Sequence, residues 1–459
     1  MAFINLSITD ETSQVIYFDP GDLESLNLVP CNTITVKAGS LTTEARVKVT
    51  PGGRQISMGT LKSLNLPPVN GLRLRSEGPS QVRIGPLIGI LTSQGGRYRT
   101  PPYSSQGKLL QRFLTYGQET GSIAFVFNPK GVSRDTGEIK GLYLHQEQDG
   151  TVIWKVHTFS LPDIVYDRIL FRSYERKKLT KQITSFLAHH KEIVCFNPKF
   201  LNKWETHLVL SQNSFLKEHL PETGKFESPE SLRSFINIYK TVYLKPVHGS
   251  LGKGIMKISL LPEGYGYQYR NRKKNIKGIW TDIHRMDIEI TDFINKKPYV
   301  MQQGLDLISY NGRVFDIRVL MQKNAAGSWV NSAMVARVAS EGNIFPNVAA
   351  GGEAKNVEKL WRDLTTQGWI GSEAYLSTLS ISLTAAETLE NTLGTFAEIG
   401  LDIGIDKTGN IWIIEINSKP SYKVFPKDQL YLKQNAIKLP MDFAAHVAGF
   451  TSREERDLN

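Results

Sequence analysis

Cysteine is nearly absent from this chain of 459 residues, with Cys31 and Cys195 the only two. Two isolated thiols supply neither a disulfide framework nor a cysteine metal motif, which favours a reducing compartment. Long hydrophobic runs are also missing. Stretches such as Ile84 to Leu91 fall far short of the roughly 20 apolar residues that cross a bilayer. No signal-type leader opens the sequence, so the expectation is a protein without a membrane span, cytoplasmic or assembled from the cytoplasm. No persuasive Ser-His-Asp or Cys-His set is present, which fits chemistry that needs no side-chain nucleophile. What remains is ordinary globular material, 40% apolar and 22% charged. At roughly 150 residues per domain the length suggests about three domains.

The formal net charge of +11 asks for an anionic partner. Tyr265 to Lys277 interleaves aromatic with basic residues. That composition suits single-stranded nucleic acid, the entry to an acidic substrate site, or a solvated loop between two strands. A second basic run, Arg172 to Lys181, reads as the polar face of a helix. Neither run supports nucleic-acid binding by itself, and none is expected.

The most informative segment lies near the C-terminus. Gly400 to Asn417 reads as a β-hairpin around the turn Lys407-Thr408-Gly409-Asn410. A turn centred between Thr408 and Gly409 sets Asp402 directly across from Glu415, and the period of two puts Asn417 on the same side as Glu415. Opposed carboxylates repel unless a cation lies between them. Asp402, Glu415 and Asn417 are hard oxygen ligands with no Cys or His nearby, a set that selects magnesium or manganese over zinc.

Upstream, Thr241 to Val247 reads as a buried strand that runs into His248-Gly249-Ser250-Leu251-Gly252-Lys253-Gly254, followed by a strand-like run from Ile255 to Leu261. Gly249, Gly252 and Gly254 let backbone N–H groups close over an anion such as a triphosphate, with Ser250 and Lys253 in the same loop. A plain tight turn is the alternative reading. No Ser or Thr follows Lys253 and no helix follows the loop, which excludes a Walker A motif.

These pieces, in this order, resemble the ATP-grasp superfamily of ADP-forming ligases. More narrowly they resemble the YheC/YheD-type ATP-grasp proteins of spore-forming bacteria, through Leu-Lys-Pro-Val-His-Gly-Ser-Leu-Gly-Lys-Gly-Ile, Phe-Asp-Ile-Arg-Val-Leu-Met-Gln-Lys and Glu-Ile-Asn-Ser-Lys-Pro. The resemblance spans roughly residues 199 to 450 and implies a site. Lys203 and Lys245 would hold the nucleotide phosphates, although Lys203 also reads as a surface lysine at a helix start. Gln302, Gln303 and Leu305, on the strand Tyr299 to Leu305, would frame the adenine, with Gly304 in place of a common bulky residue. Asp316 would lie on the ribose or substrate side. Arg318, Arg337 and Asn347 would serve the transferred phosphate and the reacting carboxyl, with Gly351 and Gly352 beside Asn347. For Arg318 and Arg337 the alternative is a buried ion pair with a neighbouring acid.

The activity so implied is a magnesium-dependent, ATP-consuming union of a carboxylate with an amine through an acyl phosphate, the substrates peptide-like or anionic and the setting the endospore coat. A coat scaffold that keeps the fold, or a kinase, are the alternatives.

The fold class implied is α+β, an ATP-grasp domain over 199–455 preceded by two smaller units. Residues 1–83 carry a repeat, Leu23-Glu-Ser-Leu-Asn-Leu and Leu61-Lys-Ser-Leu-Asn-Leu. A repeat this short cannot bury its own face, so the copies should pair into one small β-barrel, of double-psi type on the resemblance of its halves. The unit lacks a catalytic cluster and reads as a docking module for coat proteins, one that the nucleotide site does not need. Residues 84–198 alternate strands with helical segments and read as a small open α/β domain of the kind that precedes the ATP-grasp part. No Gly-x-Gly-x-x-Gly follows its first strand, so a separate dinucleotide site is not expected. Tyr166-Asp167-Arg168 either reaches the cleft or forms a strand-end salt bridge.

Overall fold

The computed structural model describes residues 3–93, 106–249, 252–271, 274–340, 352–422, 425 and 429–451. Ser250, Asn347 and Gly351 lie outside the described residues.

The N-terminal strands close into a seven-stranded barrel. The two copies of Ser-Leu-Asn-Leu end equivalent short helices, Pro20–Ser25 and Met58–Ser63. In each copy the Asn is left-handed, with φ 53° at Asn27 and 52° at Asn65. The next Leu donates its N–H back to Leu23 or Leu61, at 2.8 and 2.9 Å. Asn tolerates this conformation better than most residues, so the repeated tetrapeptide is a repeated helix stop. Strands are then exchanged between the copies. Phe3–Thr9 runs parallel to Gln55–Ser57, and its counterpart Leu41–Val49 runs parallel to Val15–Phe18.

The barrel shares its core with the α/β unit beside it. Ile34, Val36 and Ile84 belong to one apolar cluster with Leu87, Phe125, Phe127 and Phe159 of that unit. Arg83 pairs with the buried Asp163, which also accepts from Leu87 N at 2.7 Å. Each fully buried side chain of this kind contributes about 1.5–3 kcal/mol. Removing residues 1–83 is therefore expected to strip one side of the neighbouring core and give an aggregating chain without a cooperative thermal transition. A truncated chain that elutes as a monomer and melts cooperatively would refute the shared core. The barrel and the α/β unit thus share one core, so the barrel is not a freely separable module.

Leu87–Leu91, Ile123–Phe127, Ile164–Asp167 and Val194–Phe196 form the parallel part of an open sheet. The helix Gly107–Glu119 connects its first two strands. An antiparallel hairpin, Glu138–Gln146 with Val152–Ser160, extends the sheet. The basic run from Arg172 is two helices, Arg172–Glu175 and Lys178–His189, and not one.

The C-terminal half contains two antiparallel sheets. One is ordered Thr223–Lys225, Tyr299–Gln303, Thr241–Pro246, Met256–Leu261, Gly264–Asn271, Lys274–Trp280. The aromatic and basic segment is thus a β-hairpin, not a loop. Tyr265, Tyr267 and Tyr269 alternate onto the core, and Tyr267 stacks on Trp280 at 4.0 Å. Rings used this way are not free to stack on bases.

The second sheet is ordered Glu353–Asn356, Trp329–Val338, Arg313–Lys323, Glu398–Ile405, Ile411–Asn417. Helices Val357–Thr366 and Ala374–Leu393 cover the face that carries Ile317, Val319 and Met321. By strand alternation Asp316, Arg318, Leu320 and Gln322 occupy the other face. Among the described residues no helix is long and apolar enough to cross a membrane.

Candidate active site between the two antiparallel sheets

Strand Thr241–Pro246 buries Val242 and Leu244 in the core. That leaves Tyr243 and Lys245 on the opposite face. Lys245 is buried and donates its ammonium to Gln302 Oε1. Burial pulls its pKa down to about 8, Lys203 adds to the effect, and Glu415 and Asp402 oppose it. Lys203, Glu415 and Asp402 thus all act on the charge of Lys245.

Lys203 is the first residue of helix Lys203–Ser211, whose N-cap Asn202 accepts from Glu205 N at 2.9 Å. It is a helix-start lysine, and it also crosses the gap between the sheets. Its ammonium donates to Glu415 Oε1 at 2.8 Å and to the Gly249 carbonyl at 3.2 Å. In the glycine-rich loop, Gly252 and Gly254 have φ of 69° and 71°, where a side chain is strained. A Cβ on Gly249 would fall 2.4 Å from Pro246 Cγ. All three glycines thus answer to the backbone path. Lys253 is exposed.

The acidic hairpin pairs Asp402 with Glu415 and Gly400 with Asn417, the expected opposition. It is reached by an unexpected route. Beyond Asp402 the pairing shifts to Ile403 with Ile413, so Ile414 is bulged out. The turn is held by Asp406, whose side chain accepts from Thr408 N and Asn410 N at 2.9 and 3.0 Å. A bulge of this kind adjusts where side chains point near the end of a ladder.

Register across the second sheet sets Asp316 opposite Arg337 and Arg318 opposite Asp402. Arg337 grips Asp316 with two donors, the Nε at 2.6 Å, and reaches Asp402 Oδ2 at 2.9 Å. Arg318 donates to Asp402 Oδ1. All four side chains are buried. Burial raises the Asp316 carboxyl above the usual range despite Arg337. Burial also pushes Asp402 up, but Arg318 and Arg337 outweigh it and hold it low. The ion-pair reading of the two arginines is therefore what the structure contains, and it joins the arginines to the acidic hairpin in one network.

A cleft opens beside the acidic hairpin at Glu415. Lys203, Gln302 and Glu415 supply charged and amide groups to it, and Leu210, Val300, Ile414 and Ile416 supply apolar wall. Gln303 turns elsewhere. Its side-chain oxygen accepts from Glu222 N at 3.2 Å. Neighbours on a strand face opposite ways, so of these two side chains only that of Gln302 lines the cleft. Leu305 and Asp316 do not line it. Gly304 packs against Thr241, where a Cβ would come within 2.4 Å of Cγ2. Among the described residues no three His, Cys, Asp or Glu side chains gather as a metal site. A metal here would rest on Asp402, Glu415 and the amide of Asn417.

The salt-bridge reading of Tyr166-Asp167-Arg168 is what the structure contains, with partners that the sequence did not identify. Tyr166 OH donates to Glu398 Oε1 at 2.6 Å, Arg168 pairs with the same carboxylate, and Gln322 donates to Glu398 Oε2 at 3.1 Å. Lys419 pairs with Asp167 at 2.8 Å. Tyr166, Asp167 and Arg168 thus bolt the α/β unit to the second sheet. The only signal in the sequence was charge inside apolar strands.

A family model described as YheC/D-like ATP-grasp matches residues 192–447. The chain is 29% identical over 352 residues to the endospore coat-associated protein YheD of Bacillus subtilis (strain 168), covering 76% of each. It is 26% identical over 311 residues to the endospore coat-associated protein YheC of the same organism, covering 66% of this chain and 84% of that one. Similar solved structures include D-alanyl-alanine synthetase A from Vibrio cholerae, at 12% identity, TM-score 0.44, and 79% and 98% coverage of this chain and that one. Another is D-cycloserine synthetase DcsG, at 10% identity, TM-score 0.46, and 78% and 99% coverage.

Proposed function

The chain belongs to the YheC/D-like ATP-grasp family, and on that premise we propose that it is an ATP-dependent ligase that joins a carboxylate to an amine through an acyl phosphate, releasing ADP. The observation that carries this reading is that Lys203 and Glu415 pair on the wall of one cleft, with the buried Lys245 held by Gln302 of the same wall.

Charge decides which ligand the residues fit. Lys203, Lys245, Arg318 and Arg337 set four cations against the three carboxylates of Asp316, Asp402 and Glu415. A free divalent ion gains little from such a site, whereas a nucleotide triphosphate that brings its own magnesium or manganese is favoured. The ion, held by Asp402, Glu415 and Asn417, would supply charge neutralisation at the phosphates. Lys203, on the cleft wall, and Lys245, held by Gln302 of the same wall, would bind phosphate. The apolar wall around Val300, Ile414 and Ile416 accepts a base and excludes water from it. Arg318 and Arg337 are fixed by their carboxylates, so their remaining donors are oriented before any oxyanion forms.

The names of the two relatives support a setting at the endospore coat, and there the barrel would be the part that docks coat proteins. A second reading is a coat scaffold, and one observation favours it: every carboxylate of the site already has a partner within the chain.

Incubation with magnesium, ATP and a panel of acids and amines separates the readings, since the ligase forms ADP and an amide and the scaffold forms neither. In the active protein Glu415→Gln keeps size and an acceptor for Lys203 but removes charge. Turnover should fall on the order of a hundredfold or more. The partly exposed ion pair it alters is worth only about 1 kcal/mol, so the unfolding midpoint should barely move. Unchanged turnover would remove Glu415 from the metal site.

A further inference from the structure

Lys203 and the acidic hairpin are far apart in sequence, yet the proposed chemistry needs them side by side. Two side chains that take no part in that chemistry tie them together. Asn197 is fully buried and left-handed, with φ 56°. Its Oδ1 accepts from Ala397 N at 2.9 Å, and its Nδ2 donates to the Glu398 carbonyl at 2.7 Å and to the Ser418 carbonyl. The pairing of the two hairpin strands ends at Gly400 with Asn417. The amide of Asn197 therefore bridges both strands just past their last pair and takes the place of a further rung. Two carbonyls and an N–H need a side chain that both donates and accepts, and Asn also tolerates the left-handed backbone.

Ser418 returns the tie from the other side. It is buried, and its Oγ donates to the Lys199 carbonyl at 2.7 Å and accepts from Leu201 N at 3.2 Å. Leu201 lines the cleft. The segment that leads into Lys203 is thus laced to the residue that follows Asn417. Across the lacing the Lys203 ammonium meets Glu415 at 2.8 Å. Each of these polar groups is buried, so a lost partner is not replaced by water and the chain shifts to find another.

We propose that Asn197 and Ser418 are positioning residues, which hold the start of the Lys203 helix against the hairpin so that the phosphate lysine and the oxygens of Asp402, Glu415 and Asn417 act on one bound triphosphate. The proposal rests on the ligase reading. Groups that orient ligands without touching the metal typically change metal affinity by roughly 10- to 100-fold when removed.

The test uses the full chain and two variants. Asn197→Asp keeps size and backbone tolerance but turns both donated bonds into oxygen–oxygen contacts, whereas Ser418→Ala removes one hydroxyl. Hydrogen exchange is first followed by mass spectrometry without ligand. Residues 411–417 bond to neither side chain among the described residues, yet their amides should exchange several-fold faster in both variants, while Met256–Leu261 in the other sheet stays as in wild type. A nonhydrolysable ATP analogue is then titrated by calorimetry with magnesium and again with EDTA. The gain in affinity that magnesium gives should shrink about tenfold in each variant, and affinity in EDTA should stay within about threefold. A merely structural role would lower the unfolding midpoint and leave the magnesium gain intact well below it. That result, or wild-type exchange over 411–417, overturns the proposal. Should Asn197→Asp fail to fold, Ser418→Ala alone decides. A wild-type chain that binds the analogue no better with magnesium counts against the ligase reading instead, and the exchange measurement still decides the lacing.

Discussion

Replacing Lys245 by Met should weaken nucleotide binding about a hundredfold and at the same time make the unliganded protein more stable. The two effects have one cause. Lys245 is buried, with the amide of Gln302 as its acceptor among the described residues and its pKa lowered from 10.5 to about 8. Met fills a similar volume without the desolvation penalty, and such replacements of buried charge are often stabilising. Loss of a charge-assisted phosphate contact should weaken nucleotide affinity about a hundredfold, roughly 3 kcal/mol. The sign of the pH dependence comes from the lowered pKa. Between about pH 8 and 10.5 the unfolded chain binds the proton that the folded chain has lost, so wild-type stability should rise with pH across that window. Lys245→Met should lack that rise. The comparison variant is Lys277→Ala, on the exposed edge hairpin, which should bind nucleotide as the wild type does. Lys273, an equivalent comparison from the same basic segment, lies outside the described residues. Calorimetric titration with a nonhydrolysable ATP analogue and urea denaturation across pH decide both halves. Equal affinity of the two variants would mean that Lys245 does not touch phosphate.

How much of this site could be read from the sequence depended on sequence separation. Asp402 and Glu415 lie in one hairpin, where the period of two and a turn signal suffice to oppose them. The repeated Ser-Leu-Asn-Leu is likewise local, and its meaning as a left-handed helix stop follows from Asn alone. Alternation of Tyr265, Tyr267 and Tyr269 was equally visible and already marked a strand with an apolar face. The ion pairs of Arg318 and Arg337 required knowing that strand Arg313–Lys323 lies between Trp329–Val338 and Glu398–Ile405, an order that no local pattern encodes. The contact of Arg168 with Glu398 spans two units and had no local signal beyond a costly charge. The choice between Gln302 and Gln303 turned on the phase of one strand, which a short apolar run cannot specify.

Arg337→Met is expected to be the most damaging single change in the network. Arg337 is the only cation that touches both Asp316 and Asp402 among the described residues, and removing it leaves two buried carboxylates facing each other. Breaking a buried pair in this way costs about 3–5 kcal/mol, most of it from the charge left behind. Asp316 should respond first, because burial already holds its pKa above the unfolded value. A carboxyl with a raised folded-state pKa favours folding below its unfolded pKa and loses that contribution as pH rises through the folded one. Without Arg337 the shift grows. The deficit of Arg337→Met relative to wild type should therefore be largest at neutral and alkaline pH and shrink in acid. Adding Asp316→Leu should restore most of the stability, since Arg318 still compensates Asp402. It should restore none of the turnover, because the oriented donors of Arg337 are gone. Urea denaturation of both variants at two pH values, alongside ADP formation, separates these outcomes. An Arg337→Met protein as stable as wild type would show that the network does not share charge in this way. Recovery of turnover in the double variant would show that Arg337 serves only to neutralise Asp316.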